Sequence, residues 1–479
     1  MAESLGHQTF KGIGWSAIER FSFQGITFII QLVLARLLTP SDYGVVAMLA
    51  IFLQVAQVFI DCGFGNALIK KLDCSEADFS TVFFFNLGTS LLIYFILFFS
   101  APFIARFYEI PLLTPLLRVL ALTLLFNAVS IVQLTKLVKK VDFRSQSIVT
   151  FSSAVISGAV GIYCAYKGFG PWALVIQQLL NSILRSLLYL LKVRWTPKLI
   201  FSANSFNYVF NFGSRLLLST LIDVIYKNLY KIVIGKRYSD TDLGYYTKAE
   251  EFAIFPSTNV ANIISRACLP IMSKIQDDNE RLLNVYRSLI RYTSFLIFPM
   301  MIGLMAVSHP FIIFFLKEAW EPAVPLLRIL CLDWMLDFIS VINLNLLLVK
   351  GRTDLVLRLQ IVKKIIAVTI LFASVPFGIE MMCWGKFLYA IIAVIINTYY
   401  TKRIIGLGLL NQILDILPYL IVSMVMGVLS YIMTRLFDNS IINLTAGIMT
   451  GIVVYAIISL VVFKKDINSL LAIIRRRNG

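Results

Sequence analysis

Histidine is almost missing from this chain, with only His7 and His309 present. A metal centre built on paired imidazoles is therefore not expected, and nothing in the sequence calls for a cofactor. Cysteine is equally unpromising. The six at 62, 74, 164, 268, 331 and 383 form no CxxC pair, so they read as small buried apolar residues, not disulfides or metal ligands. Charge is scarce at 14% of residues, where soluble chains carry about a quarter, and this excludes a large soluble domain. No GxxxxGK[ST] loop occurs, so ATP hydrolysis has no visible seat. The opening MAESLGHQTFK has no apolar run before a cleavage site, so the first helix is expected to serve as an uncleaved anchor. Long polar loops are lacking too, and with them any room for a folded catalytic domain. No enzyme is expected.

What the chain does have is apolar length. Hydrophobic residues make up 59% of it and the mean hydropathy is +0.83. Apolar runs near twenty residues recur throughout, each long enough to cross about 30 Å of hydrocarbon as a helix. The expected spans are 13–38, 43–62, 79–104, 115–138, 146–166, 171–191, 207–234, 244–271, 286–307, 322–348, 355–375, 380–400, 411–436 and 441–463. The longest connections are expected at 192–206 and 272–285, the second holding KIQDDNERLLNVYRSL, which reads as a charged, amphipathic helical entry into the ninth span.

A net charge of +17 would suit a nucleic-acid binder, but its placement says otherwise. Lysine and arginine gather in every second connection: 70/71, 136/139/140/144, 192/194/198, 274/281, 350/352, 402/403 and the tail with 464/465/475–477. The alternate connections hold little beyond Arg36, Arg106, Lys167, Lys236, Arg237, Lys317 and Arg435. That bias of roughly three to one places both termini in the cytoplasm. The charge marks topology, and no nucleic acid is expected.

The segment Pro115–Lys140 aligns without a gap on Pro325–Lys350, both opening Pro-Leu-Leu-Arg and ending in lysine. Nearby, Ser41-Asp42-Tyr43-Gly44 echoes Thr241-Asp242-Leu243-Gly244. The duplicated segment is the fourth and tenth span, so each half holds six helices and inserts in the same orientation. The expected fold is an all-α integral membrane protein of about 14 transmembrane helices, with two pseudo-symmetric six-helix lobes plus two extra C-terminal helices. The lobes are placed at 1–200 and 201–405, with the last two helices and a basic tail at 406–479.

Ionisable residues inside a membrane normally face a cavity or a partner, because each costs about 2.5–3.5 kcal/mol at the bilayer centre. On the first span Arg20, Gln24, Thr27 and Gln31 share one stripe, as Gln54, Gln57 and Asp61 do on the second. The seventh carries Arg215, Asp223, Tyr226, Lys227, Tyr230 and Lys231, and the eighth Lys248, Glu250, Glu251, Asn259, Asn262 and Arg266. These are helices one and two of each half, so the stripes predict an aqueous cleft. The candidates for binding a pyrophosphate or sugar there are Arg20, Gln24, Gln31, Gln57, Arg215, Tyr226, Lys227, Tyr230, Asn259 and Arg266; arginine suits phosphate through its planar fork of donors. Asp61, Asp223, Asp333 and Asp337 are candidates for ion coupling, and Glu19 is a further acid. Structural alternatives stand beside these readings. Lys231 and Lys248 lie close enough to helix ends to snorkel to the interface, Arg20 and Arg215 can pair with Glu19 and Asp223, and the two tyrosines serve either as sugar platforms or as packing. The repeated Arg118 and Arg328 read as anchors for structure or for lipid headgroups.

The motifs Gly14-Trp15-Ser16-Ala17-Ile18, Val33-Leu34-Ala35-Arg36-Leu37-Leu38, Asp42-Tyr43-Gly44 and Asp61-Cys62-Gly63-Phe64-Gly65-Asn66, in that order, resemble those of polysaccharide transporters. These belong to the multidrug/oligosaccharidyl-lipid/polysaccharide exporter superfamily. The Lys274-Ile275-Gln276-Asp277-Asp278 motif resembles the WzxC-type flippases within it. The resemblance runs along essentially the whole chain. It implies fourteen helices, alternating access, and export of undecaprenyl-pyrophosphate-linked oligosaccharide across a bacterial inner membrane for surface polysaccharide assembly. Expected partners are that lipid-linked substrate, membrane lipid, and a polysaccharide polymerase with its chain-length proteins. An ion-coupled multidrug exporter on the same fold is the alternative; it should present an acidic, aromatic pocket, whereas the stripes here carry a basic excess.

Overall fold

The computed structural model describes residues 24–61, 63–71 and 73–464, apart from the side chains of 212, 215, 216 and 262–267. Among the described residues every regular element is helical: α1 (Gln24–Leu37), α2 (Pro40–Asp61), α3 (Phe64–Lys70), α4 (Glu76–Tyr108), α5 (Leu113–Leu120), α6 (Leu122–Lys139), α7 (Phe143–Tyr166), α8 (Pro171–Val193), α9 (Ala203–Arg237) and α10 (Asp240–Lys274). Then follow α11 (Asn279–Ala306), α12 (Ser308–Leu316), α13 (Ala323–Met335), α14 (Asp337–Val349), α15 (Thr353–Ser374), α16 (Ile379–Ile405), α17 (Leu409–Met433) and α18 (Ser440–Val462). Among the described residues, ten segments are long and apolar enough to cross a membrane. The 35-residue α9 and α10 and the 22-residue α15 have the length but carry more charge. A helix satisfies all its backbone groups internally, which is why apolar sequence of this length folds no other way in lipid.

The helical entry expected within 272–285 is helix: α10 continues to Lys274, and α11 starts at Asn279 with the Asp278 carboxylate accepting from the Arg281 N–H at 3.0 Å. One detail departs from the sequence reading. The duplicated segment is a broken helix in both copies, split between α5 and α6 at Ala121 and between α13 and α14 at Leu336. Neither break contains proline or glycine. Short turns replace the regular ladder there, as where the Leu336 N–H donates to the Asp333 carbonyl at 3.2 Å.

The chain divides into two compact units, the first ending at Gly244 and the second starting at Tyr245. In the first, α9 packs along α2, and α6 lies against α4 and α8. The Ser/Thr-Asp-x-Gly echo has a local cause. Thr39 and Ser239 each receive an Asp side chain three residues on: the Asp42 carboxylate accepts from the Thr39 N–H at 2.8 Å, and Asp242 from the Ser239 hydroxyl at 2.8 Å. Both are capping boxes that start a helix. The glycines then allow a close crossing. A Cβ on Gly44 would sit 1.7 Å from the Asp240 carbonyl oxygen, and one on Gly244 would sit 1.9 Å from that of Pro40. The Ser41 hydroxyl closes the contact by donating to the Asp240 carboxylate at 2.7 Å.

In the second unit α11 packs against α17, α17 against α18, and α16 against α13 and α15. Gly447 and Gly451 bring α18 close to α17, since Cβ atoms there would meet Thr434 Cγ2 at 2.6 Å and Ser430 Oγ at 2.8 Å. At the start of these helices the buried Asp415 holds two arginines. Arg287 donates to it from Nε and one terminal nitrogen at 2.7 and 2.8 Å, and Arg291 binds the same carboxylate. Next to it, Tyr286 donates to the buried Asn343 side chain at 2.8 Å, and the Thr401 hydroxyl donates to the same oxygen.

Candidate functional site

In the first unit the polar stripe of α2 reaches outward through a short chain of bonds. The Asn127 amide donates to Gln57 at 3.2 Å, and the Gln57 amide donates to Asp61 at 2.8 Å. Arg185 of α8 is the cation whose field reaches Asp61. Its Nε is buried without a hydrogen-bond acceptor among the described residues. Further along α2, Gln54 accepts from the buried Asn228 amide of α9 at 2.9 Å. Asn228 and Arg185 were not singled out in the sequence. A lone asparagine beside Lys227 and a lone arginine in the sixth apolar run were the available signals.

The remaining stripe residues are placed as follows. Gln24 and Gln31 are half-buried on α1, where the Gln31 carbonyl accepts from the Tyr43 hydroxyl at 3.4 Å. On α9, Asp223 and Lys227 are exposed and Tyr226 half-buried, whereas Tyr230 is buried. Asn259 is half-buried on α10, its amide bonded to the Phe255 carbonyl at 2.8 Å. Arg20 and Glu19 lie outside the described residues, as do the side chains of Arg215, Asn262 and Arg266.

The second unit brings charged groups together that the sequence kept apart. Lys386 of α16 lies half-buried 2.7 Å from Glu250 and 3.6 Å from Asp333, both of which are buried. The Tyr246 hydroxyl donates to Glu250 at 3.0 Å, and the Lys386 ammonium stands 5.3 Å from the Trp334 ring centroid. The Trp334 indole N–H is buried among these groups without an acceptor among the described residues. Lys363 of α15 is also buried, and Asp337 is the acid that faces it. Asp333, Asp337 and Glu250 therefore meet Lys386 and Lys363, three acids against two lysines. Lys248 does not snorkel. It is 2% exposed and pairs with Glu251 at 2.7 Å, because burial leaves a charge no cheaper option than a nearby counter-ion.

Two cavities complete this unit. An apolar groove of about 770 Å³ runs along α11, α17 and α18, with Gly303, Gly447 and Gly451 thinning its floor. A polar pocket of about 570 Å³ is lined by His309, Glu321, Arg328, Tyr431, Arg435 and Asn443 among others. The groove lining includes Val307, Ser430 and Gly447, and the pocket lining includes the nearby positions His309, Tyr431 and Asn443.

Comparison with known proteins gives a consistent result. The family described as polysaccharide biosynthesis protein matches residues 33–325. The teichuronic acid biosynthesis protein TuaB of Bacillus subtilis (strain 168) is 27% identical over 431 residues, 89% of each chain. The lipopolysaccharide biosynthesis protein WzxC of Escherichia coli (strain K12) is 26% identical over 438 residues, again 89% of each. Among solved structures, the lipid II flippase MurJ in an inward closed conformation superposes with a TM-score of 0.77 at 17% identity, covering 94% of this chain and 99% of that one.

Proposed function

The chain belongs to the polysaccharide biosynthesis protein family, and from that premise we propose that it is a flippase for lipid-linked sugars. It carries undecaprenyl-pyrophosphate-linked oligosaccharide repeat units from the inner to the outer leaflet of a bacterial inner membrane, by alternating access. The observation that carries this reading is the apolar groove of about 770 Å³ on α11, α17 and α18. A groove of that size inside membrane-spanning helices accepts a long hydrocarbon chain while the polar head travels separately. The chain crosses the membrane about fourteen times with both termini cytoplasmic. Its lobes are 1–200 and 201–405, and the segment 406–479 supplies part of the tail groove.

The pyrophosphate and sugar pass along Arg20, Gln24, Gln31, Gln57, Arg215, Tyr226, Lys227, Tyr230, Asn259 and Arg266. In the second unit the carboxylates of Asp333, Asp337 and Glu250 outnumber Lys386 and Lys363 by one, which supports binding of a proton or small cation there. Asp61 and Asp223 are the acids available in the first unit. A polymerase and chain-length proteins take over the product outside.

Arg20→Ala, Arg215→Ala and Arg266→Ala are each expected to abolish surface polysaccharide at normal protein level, with the lipid-linked repeat unit accumulating on the cytoplasmic leaflet. Full export by all three variants refutes the anion path. A deletion strain with unchanged polysaccharide and raised drug sensitivity refutes the flippase in favour of a drug exporter.

A further inference from the structure

The repeated arginine makes the same contact in both copies, with different outcomes. Arg118 Nε donates to the Phe98 carbonyl at 3.2 Å, and its guanidinium lies 4.2 Å from the Phe98 ring centroid, which covers it. The position equivalent to Phe98, by the same offset that relates the two arginines, is Ser308. Arg328 Nε donates to the Ser308 hydroxyl at 2.9 Å, and no phenylalanine stands at that place. Instead the cation borders the polar pocket of about 570 Å³. Helix α17 and the turn after it, which lie outside the duplication, add Tyr431 and Arg435. The two guanidinium carbons stand 5.8 and 4.9 Å from the Tyr431 ring centroid.

The remaining lining groups narrow the ligand. Asn443 holds the turn by bonding to the Phe437 N–H at 3.2 Å and the Phe437 carbonyl at 2.6 Å, which fixes the backbone beside Arg435. Glu321 lies 3.4 Å from His309 Nε2 at the opposite wall. A site for a bare anion would not carry a carboxylate, because like charges repel. Two guanidinium groups, a carboxylate, an imidazole and an aromatic ring together match a phosphate followed by a sugar. The cations take the phosphate oxygens, while the carboxylate accepts from sugar hydroxyls. The apolar groove is lined by positions close to these in sequence, Val307 near His309 and Ser430 beside Tyr431.

We propose that this pocket seats the diphosphate and first sugar of the lipid-linked product at the outer face, held by Arg328 and Arg435 with Tyr431 between them. The proposal rests on the flippase reading and adds a second headgroup site, separate from the stripes of α1, α2, α9 and α10. Ser308 leaves Arg328 on the pocket lining, whereas Phe98 at the corresponding place lies against Arg118.

The test is lipid binding to the full purified chain in nanodiscs, using an undecaprenyl diphosphate carrying one sugar, phosphatidylglycerol and inorganic pyrophosphate as separate probes. Arg435 is exposed, so Arg435→Gln should leave folding intact while weakening the sugar-diphosphate lipid about tenfold. Ser308→Phe should weaken it similarly, and both should leave phosphatidylglycerol unchanged. Inorganic pyrophosphate should compete only at much higher concentration, lacking tail and sugar. Equal loss of phosphatidylglycerol would make Arg435 a general lipid anchor and overturn the proposal. So would pyrophosphate competing as well as the lipid, or unchanged binding in Arg435→Gln; each leaves the flippase standing. A wild-type chain that binds no sugar-diphosphate lipid refutes the flippase reading itself.

Discussion

Replacing Lys386 with methionine tests whether the buried charges of the second unit depend on one another. The substitution keeps the length of the side chain and removes only the ammonium. It strands Glu250, 2.7 Å away, and Asp333, 3.6 Å away, both in a buried setting. Removing one partner of a buried pair costs about 3–5 kcal/mol, or roughly a hundredfold to several thousandfold in the folded population. Glu250→Gln should cost less, about 1–3 kcal/mol, because Lys386 keeps Asp333 and the amide oxygen still accepts from Tyr246. Asp333→Asn should cost least, about 1 kcal/mol, given the longer contact. The double variant Lys386→Met/Glu250→Gln should be more stable than Lys386→Met alone, since the stranded carboxylate is gone. Thermal unfolding of the purified protein in detergent, followed by size-exclusion fluorescence, gives the order of midpoints. Wild-type stability in Lys386→Met would refute the reasoning. So would a double variant whose loss is the sum of the two singles.

Three further outcomes follow from the geometry. Arg287→Ala and Arg291→Ala should each be mild, since the other arginine still holds Asp415; together they strand a buried carboxylate at about 3–5 kcal/mol, readable in the same unfolding assay, and additive small losses would contradict this. Gly44→Val and Gly244→Val should each prevent the crossing of α2 and α10, because the obstacle is a backbone carbonyl rather than a movable side chain. A Ser41→Cys/Asp240→Cys pair that forms a disulfide in oxidised membranes should stop forming it in either valine background, and undiminished cross-linking would count against the close approach. Gly303→Leu should fold normally, because a Cβ there meets only Met426 Cε at an ordinary 3.6 Å, yet it fills the apolar groove; normal protein level with export reduced at least tenfold is expected, and undiminished export would remove the groove from the tail's path.

The helices were legible because the bilayer imposes one rule on every span, and length with apolarity is visible locally. The capping boxes at Thr39–Asp42 and Ser239–Asp242 were visible as a repeated motif, though not as a close crossing, which depends on backbone positions far apart in sequence. The stripes on α2 and α9 singled out Gln54, Gln57 and Asp61 but could not supply Asn127, Arg185 or Asn228 as their neighbours. Lys386 shows why. It stands alone in an apolar run, and its partners lie 136 residues away in Glu250 and on another helix in Asp333, so no spacing rule joins them. The breaks in α5/α6 and α13/α14 were hidden for a related reason: neither carries the proline or glycine that usually announces one.

The glycine crossing has a consequence for how the chain holds together. Gly44 of one motif copy meets the backbone just ahead of the second copy, and Gly244 meets the backbone just ahead of the first. Each copy of the motif thus presses its glycine on the main chain that opens the other. Because the contact is made of main-chain atoms, it survives wide divergence of the surrounding side chains, and only a residue with a Cβ at either glycine can end it.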